Sequence, residues 1–219
     1  MAKYTSFNYL NFKDNYNKSD YFSTGEKIIM GILNITEDSF YDGGKYLQPK
    51  KIISQVKKML DEGASIIDIG AQSTKPNAIS KGPHEENKIL LPAIKLLRKK
   101  FKNIFLSVDT YWSLVAEQAI KSGANMINDV SAGNIDPNML KTISKLKVPY
   151  VLMHMQGRPE NMQNNPNYKD IVNEVYSFFD KKIKELENLD FNEIILDPGF
   201  GFGKNLEHNY TLLNNLHEF

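Results

Sequence analysis

The stretch Ile104–Asn128 reads IFLSVDTYWSLVAEQAIKSGANMIN and contains the unit from which the chain is built. Ile104–Val108 is a short apolar run that ends at a carboxylate, Asp109. Leu114, Val115 and Ala119 then recur at helical spacing, Gly123-Ala124 marks a turn, and Asn125–Asn128 starts the next short apolar run. Runs apolar on both faces and closed by a polar residue are the pattern of parallel strands buried between helices. Working outward, Lys27–Leu33, Ser65–Ile69, Pro149–Met153 and Glu193–Leu196 repeat it. Helical stripes alternate with them: Ile52, Ile53, Val56, Met59 and Leu60; Ile89, Ala93, Ile94 and Leu97; Met139, Leu140, Ile143 and Leu146; Ile171 through Leu186; and finally Leu206, Tyr210, Leu213 and Leu216. All of these read as core-facing. Gly63-Ala64 and Gly123-Ala124 stand at helix-to-strand turns, where glycine C-caps belong.

Six strand–helix units in series give an α/β fold. It is either an open doubly wound sheet or a (β/α)8 barrel of the TIM type. Periodicity does not choose between them. The strand ends carry Asn34, Asp109, Asn128, His154 and Asp197. Five strands delivering polar groups to one rim fit a barrel mouth better than a single switch-point crevice.

Composition limits the partners. Of 219 residues, 27 are Lys or Arg and 26 are Asp or Glu, a net charge of +1. A nucleic-acid or membrane-surface partner needs a concentrated positive field, so neither is expected. Cysteine is absent, which removes disulfides, thiolate metal sites and a cysteine nucleophile. The polar start and the lack of a long apolar run predict neither a secretory signal nor a transmembrane helix, and hence a cytoplasmic location. Residues 1–26 read as a lead-in and 27–219 as the barrel domain.

Four loops carry chemistry. Met30–Gly44 (MGILNITEDSFYDGG) places Asp38 and Asp42 around Phe40 after Asn34. It could be an ordinary turn, but charge and an aromatic face together suit a loop that folds over a ligand. After the second strand, Ser73, Thr74 and Lys75 offer two hydroxyls and an ammonium, a set suited to an anion. Asp109 and Asn128 can pair with the edge of a heterocycle, although a helix N-cap would also explain Asp109. Asp129 is expected behind them. In Ile195–Lys204 (ILDPGFGFGK), Asp197 ends a strand, and Phe200 and Phe202 alternate with glycines, so that a ring could stack on a flat ligand. The spacing matches neither a Walker A loop nor a dinucleotide fingerprint. His84, His154, His208 and His217 form no metal-ligand spacing, and His154 reads as structural.

MGILNITEDSF, DIGAQSTKP, SVDT, INDVSAG, MHMQG and LDPGFGFGK, taken in this order, resemble the dihydropteroate synthase family over Lys27 to about Leu216. The resemblance implies a (β/α)8 barrel that condenses 6-hydroxymethyl-7,8-dihydropterin pyrophosphate with 4-aminobenzoate, with Mg²⁺ present. By motif match, Asp109, Asn128 and Asp197 would bind the pterin edges and Phe202 its face. Asn34 would lie by the metal and pyrophosphate, and Thr74 and Lys75 would hold the pyrophosphate. Asp38 and Phe40 would close over the site, with Asp38 beside the reacting carbon. A homodimer is also implied. A related class, pterin-binding methyltransferase domains, shares the Asp/Asn pocket but has no use for the TEDSF and STKP loops.

Two departures stand out. In the second loop the family usually reads Gly-Gly-Glu-Ser-Thr-Arg-Pro-Gly. Here Ala71 and Gln72 replace the second glycine and the glutamate, Lys75 replaces arginine, and Asn77 replaces the last glycine. Lysine keeps the charge but loses the bidentate fork. The family's seventh and eighth strands also bring Ser-Arg-Lys and Arg-x-His blocks, which would follow Phe219. Losing three charged hydrogen bonds at about 1.5–3 kcal/mol each would weaken the transition state by roughly 5 kcal/mol or more, and an open six-strand barrel would leave two unpaired edges. The expectation is a chain that is poorly stable and nearly inactive alone, with an inactive fragment as the alternative.

Overall fold

A computed structural model describes residues 27–35, 41–42, 46–72, 81–159 and 161–219. Six strands form one sheet: β1 Met30–Asn34, β2 Ile66–Gly70, β3 Phe105–Asp109, β4 Met126–Asp129, β5 Tyr150–Met153 and β6 Ile194–Asp197. Each pairs in parallel with the one before it, so chain order and sheet order coincide. A doubly wound sheet would reverse direction at a switch point. Uninterrupted sequential order is the barrel pattern, and the alternative left open by periodicity is thereby decided. Among the described residues β1 and β6 have no partner on their outer sides, so the sheet they form is not closed. Residues 41–42 and 46–47 pair as a small antiparallel ribbon.

Helices α1 Pro49–Asp61, α2 Pro83–Lys100, α3 Ser113–Lys121, α4 Met139–Leu146, α5 Ile171–Glu187 and α6 Leu206–Asn214 follow the strands in turn. The expected stripes lie inward in the first five. Ile52, Val56, Ile89, Ala93, Ile94, Leu97, Val115, Ala119, Met139, Ile143, Val175, Phe179 and Leu186 meet the outer faces of the strands through Leu33, Ile67, Ile69, Leu106, Val108, Ile127, Tyr150 and Leu152. The last stripe is a correction. Leu206 and Tyr210 are 74% and 65% exposed, Leu213 and Leu216 are exposed as well, and Leu212 is the residue of α6 that reaches the core. Spacing alone reports a stripe, not which side of the helix has a neighbour.

The glycine turns behave as expected. Gly63 (φ +103°) and Gly123 (φ +109°) each follow a helix. Gly63 N–H bonds to Leu60 O and Ala64 N–H to Met59 O; Gly123 and Ala124 bond in the same way to Ile120 and Ala119. This Schellman pattern satisfies the last helical carbonyls and turns the chain straight into a strand. Arg98 ties the same end of the fold together, donating to Gly123 O (2.6 Å), Ile104 O (2.8 Å) and Asn125 Oδ1 (2.8 Å).

Side chains alternate between the helix layer and the barrel interior. Met30, Ile66, Phe105, Met126, Val151 and Ile195 form an inner apolar floor. Above it the inward positions turn polar: Asp68 and Ser107, then Asn34, Gly70, Asp109 and Asn128 in register. Ile32, also inward, is 64% exposed because the sheet is open beside β1.

Candidate functional site

The strand register brings the polar groups together. Asn34, Gly70, Asp109 and Asn128 are successive partners across β1 to β4. Gly70 is the floor between its neighbours. A Cβ built there would lie 3.1 Å from Asn34 Oδ1 and 3.2 Å from Asp109 Oδ2, so any larger residue would separate those side chains. Asp197, on β6, is level with Met153 at the other end of the sheet. Phe202 packs on Met153, Val130 and Tyr111 at the rim, while Phe200 is exposed. Thus Asn34, Asp109, Asn128, Asp197 and Phe202 line one mouth. Asp38, Phe40, Thr74 and Lys75 fall outside the described residues, as do Ser73 and the lead-in 1–26.

One sequence expectation changes, that of Asp129, while His154 leaves the rim and keeps the structural role read from the sequence. Asp129 does not stand behind Asn128. It faces the helix layer, where it accepts from Tyr150 Oη (2.7 Å), from Ser131 N–H (2.8 Å) and Oγ (2.7 Å), and from Gly133 N–H (2.8 Å), holding the turn after β4. His154 follows the inward Met153 and therefore points outward. Its ring packs edge-on against Phe178 at 4.9 Å, in accord with a structural role.

The sequence reading missed Asp68. It lies one step below Gly70 on β2, is 3% exposed and accepts from Asn128 Nδ2 at 3.0 Å. The signal was present: an acid inside an otherwise apolar strand, SIIDI, is costly to bury without a purpose. Asp68 Oδ1, Ser107 Oγ and Asn128 Oδ1 are buried and meet no partner at full hydrogen-bond geometry among the described residues, although Ser107 lies beside the Asp68 carboxylate. Three such polar atoms on one patch of inner wall are a strong sign of a ligand position.

Electrostatics sharpen this site. Burial raises Asp68 above the usual carboxylate range, against the lowering effect of Ser107 and Asn128. Burial, followed by the charges of Asp68, Glu86 and Asp129, pushes Asp109 well up. Asp68 and Asp109 are like charges in a poorly solvated pocket, and they cannot both ionise readily. Asp197 is raised by burial, with Gly199 N–H and Lys204 opposing.

Gln72, the departure from the family pattern, has a defined place. Its Nε2 donates to Lys81 O (2.8 Å) and to Glu86 Oε2 (2.5 Å), and its Oε1 accepts from Lys81 N–H (2.9 Å). Glu86 is fully buried, and burial pushes it up to about 7, partly offset by Thr110, Gln72 and Lys81. A second carboxylate in place of Gln72 would face Glu86 directly. The neutral amide avoids that repulsion and fills three hydrogen-bonding roles.

A metal was also expected at Asn34. Among the described residues there is no cluster of three metal-binding side chains. Asn34 is exposed at the end of β1, and its amide oxygen faces the mouth. Mg²⁺ keeps most of its waters and shares its remaining positions between one or two protein oxygens and substrate phosphates. One exposed amide oxygen fits such an ion and does not fit a resident protein cage.

A sequential parallel βα barrel with carboxylates and an amide on its inner wall and a phenyl ring at its rim defines a class: a barrel that holds a flat, hydrogen-bonding heterocycle at its mouth. The comparisons specify it. Residues 30–219 match the family model "Pterin binding enzyme". Dihydropteroate synthase of Haemophilus influenzae is 45% identical over 193 residues, 87% of this chain and 70% of that relative. Dihydropteroate synthase of Clostridium difficile, solved in the presence of pteroic acid, is 39% identical with a TM-score of 0.80, covering 89% of this chain and 72% of that one. The Xanthomonas albilineans synthase with 4-aminobenzoic acid is 38% identical with a TM-score of 0.78, covering 88% and 68%. The chain belongs to the dihydropteroate synthase family, transferases of folate synthesis. No helix among the described residues is long and apolar enough to cross a membrane.

Proposed function

We propose that this chain supplies the pterin-binding wall of a dihydropteroate synthase. The observation that carries the reading is the inner-wall patch of Asp68, Ser107, Asp109 and Asn128 with its three buried atoms that are unpartnered among the described residues. A reduced pterin presents adjacent N–H donors and ring acceptors on one edge. Carboxylates accept the donors, and an amide both donates and accepts. Asp197 meets the opposite edge and Phe202 covers the ring. The pterin's exocyclic carbon then points out of the mouth, toward Asn34 and the loops after β1 and β2.

In the reaction, the amine nitrogen of 4-aminobenzoate forms a bond to that carbon while the carbon–oxygen bond to pyrophosphate breaks. The aniline then loses a proton, and pyrophosphate leaves with the bonding electron pair. No protein nucleophile is required. Catalysis rests on orientation and on charge placed near a carbon that becomes cationic. Asp38 is assigned to that position, with Phe40 beside the aminobenzoate. Thr74 and Lys75 are assigned to the pyrophosphate. Asn34 would hold Mg²⁺, which neutralises the leaving group when bound. The reading extends to a cytoplasmic homodimer, testable by sedimentation and fractionation.

The test is pyrophosphate release by the purified chain given dihydropterin pyrophosphate, 4-aminobenzoate and Mg²⁺. Release that requires both substrates supports the reading. If no release occurs, saturable binding of 6-hydroxymethylpterin still supports the pterin wall. Failure of both would sink it.

A further inference from the structure

The loop after β6 is knit to the loop after β5, and one buried cation joins them. Lys204 is 3% exposed. Its Nζ contacts His154 Nδ1 (3.0 Å), His154 O (3.1 Å) and Phe202 O (3.0 Å). An ammonium has three donors and no acceptor, so all three protons are engaged. His154 Nδ1 must then be an acceptor, which fixes the neutral ring with its proton on Nε2. Around this hub the two loops touch closely. Tyr168 Oη donates to Gly203 O at 2.8 Å, and Gln163 Nε2 donates to Gly201 O. A Cβ at Gly203 would lie 2.5 Å from Gln156 O.

We infer that Lys204 is a positioning residue for the pterin. Through the Phe202 carbonyl it is the anchor that sets the ring at the rim. It also bonds the carbonyl of His154, whose N–H in turn bonds Asp197 O, so its charge acts on Asp197 across one residue and not as a direct ion pair. The inference rests on the pterin reading. Lys204 does not touch the ligand itself; it lies behind the loop that does. Burial pushes Lys204 down to about 8, with Asp197 opposing, so it is an ammonium at neutral pH. Lys204 and Gly199 N–H hold Asp197 down against the burial that raises it. Burial and the Lys204 charge push His154 down to about 3. Among the described residues, further titratable groups around this cluster are Tyr168, in ring contact with His154, His208 beyond it, Glu174, whose charge acts on Tyr168, and Tyr111, against whose cluster Phe202 packs.

The sign follows. Without the ammonium, Asp197 titrates at higher pH, and the carboxylate that receives the pterin is lost earlier on acidification. Binding of 6-hydroxymethylpterin to the full chain is measured by fluorescence from pH 5 to 8 for wild type, Lys204→Met and Lys204→Arg. For Lys204→Met we expect the acid limb of binding to move up by about one pH unit, a roughly tenfold loss at the foot of the limb. Lys204→Arg restores the charge and keeps the limb in place, with weaker binding at all pH because a guanidinium cannot bring one nitrogen to three acceptors. A merely structural lysine would lower affinity equally at every pH, and that result overturns the inference. If wild type binds no pterin at any pH, the functional reading falls first. The inference is then judged by the ¹⁵N shift of His154 Nδ1 at pH 5.5: an acceptor nitrogen in wild type and Lys204→Arg supports it, and a protonated ring in wild type overturns it. The same shift decides the case if Lys204→Met does not fold.

Discussion

Replacing Gly199 by alanine tests the close packing of the two loops, and Gly201 in the same loop provides an internal control. Both have positive φ, +69° and +81°. In both, an L side chain costs about 1–2 kcal/mol of backbone strain, and in both the loss of glycine freedom in the unfolded chain returns a few tenths. The surroundings differ. A Cβ at Gly201 meets nothing within 4 Å, whereas one at Gly199 would lie 2.1 Å from His154 O and 3.2 Å from Met153 Cγ. That carbonyl is fixed on both sides: it accepts from Lys204, and the His154 N–H donates to Asp197 O at 2.9 Å. Relief needs a shift of about 1 Å and loses at least one such bond, one of them to a charged group, worth about 1.5–3 kcal/mol. Gly199→Ala should therefore cost about 2–5 kcal/mol and Gly201→Ala about 1 kcal/mol. The comparison is made by urea unfolding with the slope unchanged, since a changed slope would signal a different unfolded state. In thermal melts the difference appears as roughly 2–4 °C per kcal/mol. If the two variants fall within about 0.5 kcal/mol of each other, the tight approach of the loops does not hold and the Lys204 geometry goes with it.

Other outcomes follow from the same structure. His154 in the folded state stays neutral down to about pH 3, while the unfolded ring protonates near 6.5, so this residue makes the fold lose stability on acidification through that window. Relative to wild type, His154→Gln should gain about 2 kcal/mol between pH 6.5 and pH 5; parallel curves would count against the neutral buried ring. Arg98→Ala removes the donors to Gly123, Ile104 and Asn125 and should cost about 2–4 kcal/mol in urea, leaving the pH dependence of pterin binding unchanged. Asp68→Asn relieves the like-charge pressure on Asp109. It should leave the free protein as stable or about 1 kcal/mol more stable while weakening pterin binding at least about tenfold; equal affinity would remove Asp68 from the site. Because Asp68 and Asp109 are raised and the pterin donates to them, binding should release protons. Calorimetry in buffers of different ionisation heat measures this, and no buffer dependence would refute it.

The fold was legible because parallel strands have a strong signature: each predicted strand lies within about three residues of the observed one, and the polar residue at its end marks the rim. Periodicity could not separate barrel from open sheet, because that depends on which strands are neighbours, a non-local fact. The site was legible where a residue ends a strand, as with Asn34, Asp109 and Asp197. It was obscure where inward and outward positions alternate. Asp129 adjoins Asn128 in sequence but faces the opposite layer, and His154 is turned outward by one step of the pleat. Asp68 was hidden by its apolar neighbours. Lys204 and Glu86 owe their roles to partners far along the chain, His154 and Gln72, which no local window contains.

Sequential strand order has a consequence for how the chain acquires its shape. Each new strand finds its partner in the strand just made, with the intervening helix already on hand to cover the pair. Assembly can therefore keep pace with synthesis, advancing like a row of tiles laid from one end. The mouth matures along the way: Asp68 and Asp109 become neighbours when the third strand docks, Asn128 joins with the fourth, and the Lys204 clasp closes with the sixth. A ribosome-stalled series cut after each helix should register these arrivals as discrete steps in protease protection.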